Sequence, residues 1–180
     1  SALPLCSMFL IADSGASTTQ WACCDGRLVR TCSTVGLNVN VVGRQVFESV
    51  LQQLMEWCGQ KVDSVFFYGT GCSNPAVCES VASMLRMTLM CHDVHVGSDM
   101  LGACRAMLGD GAGYVGILGT GSNMCEFDGS KIVRCTLASG YLLGDEGSGY
   151  HIGRLLVKDF LSDKFPQSLR DEFSSMFDGD

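Results

Sequence analysis

Apolar and polar positions change their spacing along the first third of the chain. Short runs of strand-like composition over Met8–Ala12, Gln20–Asp25 and Leu28–Val35 are separated by turns, and they predict an antiparallel meander of three strands. Between Arg44 and Cys58 the apolar residues instead recur at intervals of three and four, which predicts a helix. The chain therefore begins with three strands and a first helix.

The middle of the chain alternates between strands and helices. The apolar run Val62–Tyr68 predicts a buried strand, and Pro75 suits the first turn of a helix that extends to about Arg86. Val94–Val96 predicts another strand, after which Ser98 is suited to cap a third helix. The predicted order is thus βββαβαβα.

A second region follows the glycine-rich stretch Gly109–Gly113, which predicts a hinge between domains 1–112 and 113–180. Its predicted elements are a strand–turn–strand unit, a further strand and a final helix, over Val115–Gly129, Lys131–Leu137 and Tyr150–Leu161. Since no run of α/β units follows and the tail is polar, we expect this domain to be the incomplete start of a lobe.

Two tight turns have the same sequence frame. The segments LIADSGASTTQWACCDG (Leu10–Gly26) and VGILGTGSNMCEFDG (Val115–Gly129) each place a Gly/Ser/Thr turn between two strands. Such turns expose backbone N–H groups and small hydroxyls, which suits them to phosphate, so two of them predict a nucleotide held from both sides. Neither has a GK[ST] ending or opens a helix, which excludes a P-loop and a Rossmann fingerprint.

Charge and cysteine content narrow the classes of partner. The formal net charge is −7 and basic residues are sparse, which argues against a nucleic-acid surface. An anionic ligand must then be held by backbone amides, helix ends or a metal ion. The apolar N-terminal run is too short to span a membrane.

The eleven cysteines form no CxxC pair, and several lie in apolar runs (Cys58, Cys91, Cys104), which predicts buried thiols in a reducing cytoplasm.

Five strings, taken in their order, resemble a known family: DSGASTTQW, FFYGTGC, GSDMLGACRA, ILGTGSNMCEFDG and GYLLGDEGSGYHIG. They resemble the superfamily of actin, Hsp70 and the sugar kinases, and more closely its N-acetylglucosamine kinase branch, which is grouped with the BadF/BadG/BcrA/BcrD ATPases. The resemblance implies an α/β protein with the actin-like ATPase fold. In that fold two RNase H-like lobes surround a nucleotide cleft.

The resemblance also implies roles for individual residues. ATP phosphates would be held by residues of the two turns, namely Asp13, Gly15, Ser17, Thr18, Gly119, Thr120 and Gly121. Asp13 would lie near a hydrated Mg²⁺ ion. Sugar-side positions are Asn38 or Asn40, Asp99, Ser122, Asn123, Ser139, Gly140 and Asp145. Asp99 matches the base that accepts the proton of the attacking sugar hydroxyl.

Ordinary structural explanations exist for several of these residues. Asp99 falls in the first turn of a predicted helix, where Asp is favourable with the helix dipole. Ser122 and Asn123 are common turn formers, and Asp145 could belong to a solvated pair with its neighbour. Asp13, in contrast, ends a buried strand inside a glycine turn, which is a costly place for a carboxylate without a role.

The hypothesis from sequence is an ATP-dependent sugar kinase, with ATP and Mg²⁺, that acts on N-acetylglucosamine or a similar amino sugar. Two departures from the pattern of the family support an alternative. In this alternative the chain is a non-catalytic fragment that binds a nucleotide or a sugar, or that has a regulatory role. The first turn has Ser17-Thr18-Thr19-Gln20 where related bacterial sequences have a lysine and a threonine, and family members extend further. A third candidate, an iron–sulfur redox ATPase activator, would need a cysteine before the second turn, where this chain has GILGTG. The sequence leaves the oligomeric state open, a homodimer included.

Overall fold

The computed structural model describes residues 8–26, 28–39, 41–59, 61–137 and 139–176. One of the two candidate asparagines, Asn40, lies outside the described residues. The chain forms two compact units, residues 1–110 (unit 1) and 111–180 (unit 2). No helix within the described ranges has the length and apolar character needed to cross a membrane.

Unit 1 has the predicted βββαβαβα order. Its elements are β1 (Phe9–Ser14), β2 (Thr18–Cys24), β3 (Val29–Val35), α1 (Arg44–Cys58), β4 (Ser64–Gly69), α2 (Pro75–Leu89), β5 (Asp93–Ser98) and α3 (Asp99–Leu108). The strands form one sheet in the order β3-β2-β1-β4-β5. β1, β2 and β3 pair antiparallel, whereas β1, β4 and β5 are parallel.

The core of unit 1 is built around three aromatic side chains. Trp21 of β2 and Phe47 of α1 both contact Phe67 of β4, with ring centroids 6.1 and 5.8 Å apart. α1 buries the apolar stripe that its spacing predicts, and this stripe comprises Phe47, Val50, Leu51, Leu54 and Cys58. Burial of one face at a period of 3.6 residues explains why α1 has the predicted bounds.

Side-chain caps fix where α2 and α3 begin. Asn74 Oδ1 accepts the N–H of Ala76 at 2.8 Å, and Pro75 occupies the first turn, where its missing N–H costs nothing. Ser98 Oγ accepts the N–H of Leu101 at 3.2 Å, so the predicted cap is present. α3 therefore begins directly at the end of β5.

Strand register decides which residues meet at the carboxyl edge of the parallel strands. Ser14 of β1 is the register partner of Gly69 of β4, and Gly69 is the partner of Ser98 of β5. The three strands thus end at one level. Segments that follow such strands are where ligands bind in open α/β sheets.

Unit 2 contains an antiparallel sheet in the order β6-β7-β8. Its elements are β6 (Gly113–Leu118), β7 (Ser122–Phe127), β8 (Ile132–Cys135), α4 (Gly140–Leu143), α5 (Gly149–Leu161) and α6 (Gln167–Ser175). The predicted hairpin and final helix are present, as β6–β7 and α5. The short α4 and the tail helix α6 were not predicted. α6 is held by an aromatic contact, since Phe173 lies 4.8 Å from Phe160, a long-range contact that periodicity does not reveal.

The cysteines of the described ranges are all thiols rather than disulfides. Cys58, Cys91 and Cys104 are 3%, 1% and 0% exposed, which confirms their predicted burial. Burial raises the pKa of Cys58 to about 12, with further contributions from the neighbouring Cys23 thiol. These buried cysteines behave as small apolar residues.

Candidate functional site

The first glycine turn joins β1 to β2 and projects from the sheet. The Gly15 N–H donates to the Thr18 carbonyl oxygen at 3.0 Å, which closes the turn. Ala16, Ser17 and Thr18 are exposed. Three predicted ligand residues, Gly15, Ser17 and Thr18, are therefore in one turn, and the two that carry hydroxyls are exposed.

Two buried hydroxyls lie beneath this turn. Ser14 Oγ and Thr19 Oγ1 are 2.9 Å apart and fully buried. The N–H of Leu37 donates to both oxygens, at 3.1 and 3.2 Å, and Thr19 Oγ1 donates to the Val35 carbonyl at 3.1 Å. The network ties the turn to the exit of β3. It thereby positions the predicted sugar-side residue Asn38, which follows Leu37 directly.

Gly36 is a contact of the first turn that sequence reasoning missed. Its N–H donates to the Ser17 carbonyl at 2.9 Å. A Cβ atom at this position would lie 2.4 Å from the Ala16 carbonyl oxygen and 2.7 Å from that of Gly15. Real Cβ atoms do not approach backbone so closely, so Gly36 is required for the loop after β3 to pack on the turn. The only sequence signal was a glycine directly after a strand.

Asp13 and Asp99 come from different parts of the sequence and interact at the carboxyl edge of unit 1. Asp13 is the exposed penultimate residue of β1, and Asp99 is the half-buried first residue of α3. Desolvation by the surrounding protein and the negative charge of Asp99 both raise the pKa of Asp13. The candidate magnesium-side residue and the candidate base are thus electrostatically coupled.

Two hydrogen bonds orient the Asp99 carboxylate. The Thr70 hydroxyl donates to Asp99 Oδ2 at 2.7 Å, and the N–H of Met100 donates to Asp99 Oδ1 at 2.8 Å. Thr70 follows β4, and its own N–H donates to the Ser14 carbonyl at 2.9 Å. A carboxylate has about four acceptor sites, so Asp99 keeps capacity for a ligand proton. In the sequence, Thr70 stood out only as part of the string FFYGTGC, which does not reveal this contact.

Two glycines let α3 lie close to β4 and β5. A Cβ atom on Gly102 would be 2.7 Å from Cγ of Tyr68, and one on Gly97 would be 3.0 Å from Cδ2 of Leu101. Arg105 donates to the Tyr68 hydroxyl at 2.7 Å and lies over its ring. The string GSDMLGACRA is therefore explained by packing, and this packing fixes the start of α3, where Asp99 is located.

The second glycine turn, in unit 2, is held by the start of α5. Within the turn, the Gly119 N–H donates to the Gly121 carbonyl at 2.9 Å. The N–H groups of Gly149 and Tyr150 donate to the carbonyls of Gly119 and Thr120, at 2.8 and 3.2 Å. The first amides of α5 thus bind the turn itself, while Gly119 and Thr120 remain exposed.

Asp145 contacts the same turn from the GDEGSG segment. Asp145 Oδ1 accepts the N–H of Ser122 at 3.0 Å, and a Cβ atom on Gly121 would lie 3.0 Å from this oxygen. The Ser122 hydroxyl donates to the Glu146 carbonyl at 2.9 Å. Asp145 has a φ of 60°, an uncommon value for a residue with a side chain. The structure therefore brings two predicted sugar-side residues, Asp145 and Ser122, into contact.

The remaining sugar-side residues of unit 2 occupy separate places. Asn123 Oδ1 accepts the N–H of Met124 at 2.8 Å and the hydroxyl of Thr136 at 2.7 Å, which links β7 to the end of β8. Ser139 precedes α4, and Gly140, with a φ of 66°, is its first residue. Their roles in ligand binding stay predictions.

The solved proteins to which this chain is similar in structure include the following three. A protein from Porphyromonas gingivalis, provisionally named an N-acetylglucosamine kinase, is 38% identical over 94% of this chain and 62% of its own, with a TM-score of 0.87. A protein from Chromobacterium violaceum with the same provisional name is 17% identical over 98% of this chain and 66% of its own, with a TM-score of 0.76. MreB5 of Spiroplasma citri bound to ADP is 11% identical over 73% of this chain and 52% of its own, with a TM-score of 0.55.

These similarities confirm the actin-like ATPase fold predicted from sequence. The similarity to the Porphyromonas gingivalis protein also confirms the resemblance that the five strings indicated. The chain spans less than two thirds of the length of either provisionally named kinase. Comparison with models of protein families gave no match, and comparison with curated proteins gave none either.

Proposed function

We propose that this chain, which has the actin-like ATPase fold, acts in an ATP-dependent sugar kinase that phosphorylates a hydroxyl of N-acetylglucosamine or a similar amino sugar. The observation that carries the proposal is the carboxyl edge of unit 1. There Asp99, held by Thr70, lies near Asp13 and follows a strand that ends level with the first glycine turn. Similarity to the two provisionally named kinases supports the choice of acceptor.

In the proposed reaction Asp99 is the general base. Its carboxylate accepts the proton of the attacking sugar hydroxyl while that oxygen bonds to the γ-phosphorus of ATP. The bond from phosphorus to the β–γ bridging oxygen breaks, and ADP leaves. Phosphoryl transfer needs mainly positioning and charge stabilisation. The hydrogen bond from Thr70 fixes the orientation of Asp99 and so serves the positioning of the base.

Each glycine turn carries groups that suit a phosphate. In unit 1, the exposed residues Ser17 and Thr18 carry hydroxyls for this role, and in unit 2 the exposed Thr120 carries another, since the Gly119 N–H is already donated to the Gly121 carbonyl. Such groups stabilise negative charge without reorganising during the reaction. In each turn, carbonyl oxygens accept hydrogen bonds from N–H groups of the same unit, and these bonds hold the geometry of the turn.

Asp13 fits a magnesium site of the water-mediated kind. Desolvation by the surrounding protein and the nearby charge of Asp99 both raise the pKa of its carboxyl, and a divalent cation would relieve the repulsion between the two carboxylates. Within the described ranges no group of three or more His, Cys, Asp or Glu side chains is arranged to hold a metal ion. A magnesium ion would therefore be held through water and the phosphates, and when bound it neutralises their charge.

Each unit carries polar residues proposed for sugar binding. In unit 1 these are Asn38 and Asp99, and in unit 2 they are Ser122, Asn123, Ser139, Gly140 and Asp145. Asn123 and Asp145 already make hydrogen bonds that fix their side chains, so they could bind a sugar without a large loss of rotamer entropy. The same residues could discriminate the acetamido group from a hydroxyl.

The test is ADP release with ATP, Mg²⁺ and a panel of N-acetylglucosamine, N-acetylmannosamine, glucosamine and glucose. We expect release only with amino sugars, and we expect Asp99→Asn to lower kcat about 10²- to 10⁴-fold with little change in sugar binding. Asp110→Asn, a change at an exposed position of unit 1, is the matched control. Release that does not depend on the sugar would overturn the proposal.

A non-catalytic binding module is the alternative, and one observation favours it. Residues 13–20 of the first turn contain no Lys or Arg, so the phosphates would lack a basic contact there. Calorimetric titration of ATP and of the sugar, performed separately, distinguishes the two functions. Sugar binding without any ADP release from the unmodified chain would favour the module over the kinase.

A further inference from the structure

Two cysteines face each other across the second sheet. Cys125 of β7 is the register partner of Cys135 of β8 in an antiparallel ladder. The neighbouring pair, Met124 and Thr136, is of the hydrogen-bonded type, because the Thr136 N–H donates to the Met124 carbonyl at 2.8 Å. Cys125 and Cys135 therefore form a non-hydrogen-bonded pair, whose Cα atoms are typically about 4.5 Å apart. This separation is within the range that a disulfide spans.

The two thiols are in contact but differ in access. The Cys125 thiol is hydrogen-bonded to the Cys135 thiol. Cys125 is only 2% exposed, whereas Cys135 is exposed. A reagent in solution can thus reach Cys135, whereas Cys125 is shielded from it.

We propose that Cys125 and Cys135 are a modification site at which a reversible disulfide forms across β7 and β8. The co-reactant is a small disulfide of the glutathione type. The Cys135 thiolate attacks its S–S bond and releases one thiol. Cys125 then attacks the mixed disulfide, so that the protein S–S bond forms and the second thiol leaves. The protein loses two electrons and two protons, and the small disulfide gains them.

The position of the pair connects it to the second glycine turn. Cys135 precedes Thr136, whose hydroxyl donates to Asn123, and Cys125 lies three residues after the first residue of β7. A covalent bond here would fix the strand pair that carries Asn123. The disulfide itself rests only on the geometry of unit 2, so it can form whether or not the chain is a kinase.

The reaction should accelerate at alkaline pH. Partial burial and the neighbouring Cys125 raise the pKa of the Cys135 thiol, so little thiolate is present at neutral pH. A second pair of contacting thiols in unit 1, Cys23 and Cys58, provides an internal control. They are 2% and 3% exposed, so solvent reagents do not reach them while the chain is folded.

Peptide mapping tests the proposal directly. The folded chain is incubated with oxidised glutathione, remaining thiols are alkylated after unfolding, and trypsin is added. Trypsin cuts after Lys131 and Arg134, so Cys125 and Cys135 fall in separate peptides that contain no other cysteine. We expect these two peptides to be joined, with a mass two hydrogens below their sum, and faster joining at higher pH.

Two variants make the outcome decisive. Cys135→Ser, a change at an exposed site, should abolish the linked peptides, while Cys125→Ala should stop the reaction at a glutathione adduct on Cys135. In the unmodified chain, Cys23 and Cys58 should remain alkylatable. A lasting glutathione adduct on Cys135, an unmodified Cys135, or linkage of Cys135 to another cysteine would each overturn the proposal, whatever the ADP-release assay shows.

Discussion

Two aspartates of this chain have pKa values displaced in opposite directions. Asp13 has a raised pKa because it is desolvated and lies near the charge of Asp99. Asp128 has a pKa lowered to about 2, because its carboxylate accepts the N–H groups of Lys131 and Ser130 and the Ser130 hydroxyl. Each displacement makes the stability of the folded chain depend on pH.

Asp13→Asn is expected to raise the melting temperature at pH 7. A carboxyl whose folded pKa is raised binds its proton more tightly in the folded state, so its charge opposes folding once the pH rises above the unfolded value of 3.8. The gain should therefore shrink as the pH falls to about 3. Thermal unfolding across this pH range measures it.

Asp128→Asn is the matched comparison with the opposite sign. Its folded pKa of about 2 lies below the unfolded value, so the ionised form favours folding above pH 3.8, and this contribution is lost as the pH falls towards about 2. The substitution should thus lower stability at neutral pH and have little effect in acid. If the stability difference between each variant and the unmodified chain does not change with pH, the displaced pKa values assigned to Asp13 and Asp128 are both contradicted.

Gly36→Ala is expected to destabilise the first glycine turn. The added Cβ would overlap the carbonyl oxygens of Ala16 and Gly15, so the backbone must shift. We expect a loss of about 1–3 kcal/mol in the free energy of unfolding, measured by urea denaturation. Gly43→Ala is the control, since a Cβ there meets nothing within 4 Å. An equal loss of stability at both positions would show that the contact with the turn is not responsible.

At the scale of elements, Thr70 connects the ends of three secondary-structure elements. Its N–H binds the last residue of β1, it follows β4, and its hydroxyl binds Asp99 at the start of α3. Such a residue sets the direction of the carboxylate without touching the reacting atoms. Thr70 is therefore a positioning residue under the proposed function.

Thr70→Val should lower kcat at least about tenfold while the KM for the sugar changes little, because the base loses its orientation but the sugar contacts remain. Thr70→Ser keeps the hydroxyl and should restore most of the rate. Steady-state ADP release measures both variants. Equal losses in the two variants would assign Thr70 a packing role only.

The elements differ in how far the sequence predicted them. α1 has the predicted bounds because its apolar stripe is buried along its whole length. α2 was predicted to end near Arg86, and it continues to Leu89, which is buried. α6 was missed, because its sequence is polar and its helix depends on Phe173 reaching Phe160.

At the scale of the whole chain, the two units differ in how much apolar surface they bury. The main hydrophobic cluster lies entirely in unit 1, between Met8 and Val96. Among the described residues of unit 2, the buried apolar side chains are Val115, Cys125 and Phe127, and α5 buries none. Local stability follows buried apolar contact, so the units should open with different free energies.

Hydrogen exchange should show this difference. We expect the amides of β1 and β4 to exchange much more slowly than those of β6 and β7, since only the former lie within a large core. The experiment is exchange under native conditions with mass readout of peptides from each strand. Equal protection in the two sheets would mean that the chain opens as one cooperative body.

By itself, the sequence determined the order of the elements of unit 1 and the two glycine turns, and its resemblance to a known family implied the actin-like ATPase fold. The element order and the turns depend on periodicity, caps and turn residues, which act between neighbours in the chain. Only the tertiary structure decided that Thr70 holds Asp99, that Asp145 holds Ser122, and that Gly36 packs on the first turn. The first two contacts join residues 29 and 23 positions apart. Strand register and packing bring them together, and a local pattern carries no information about either.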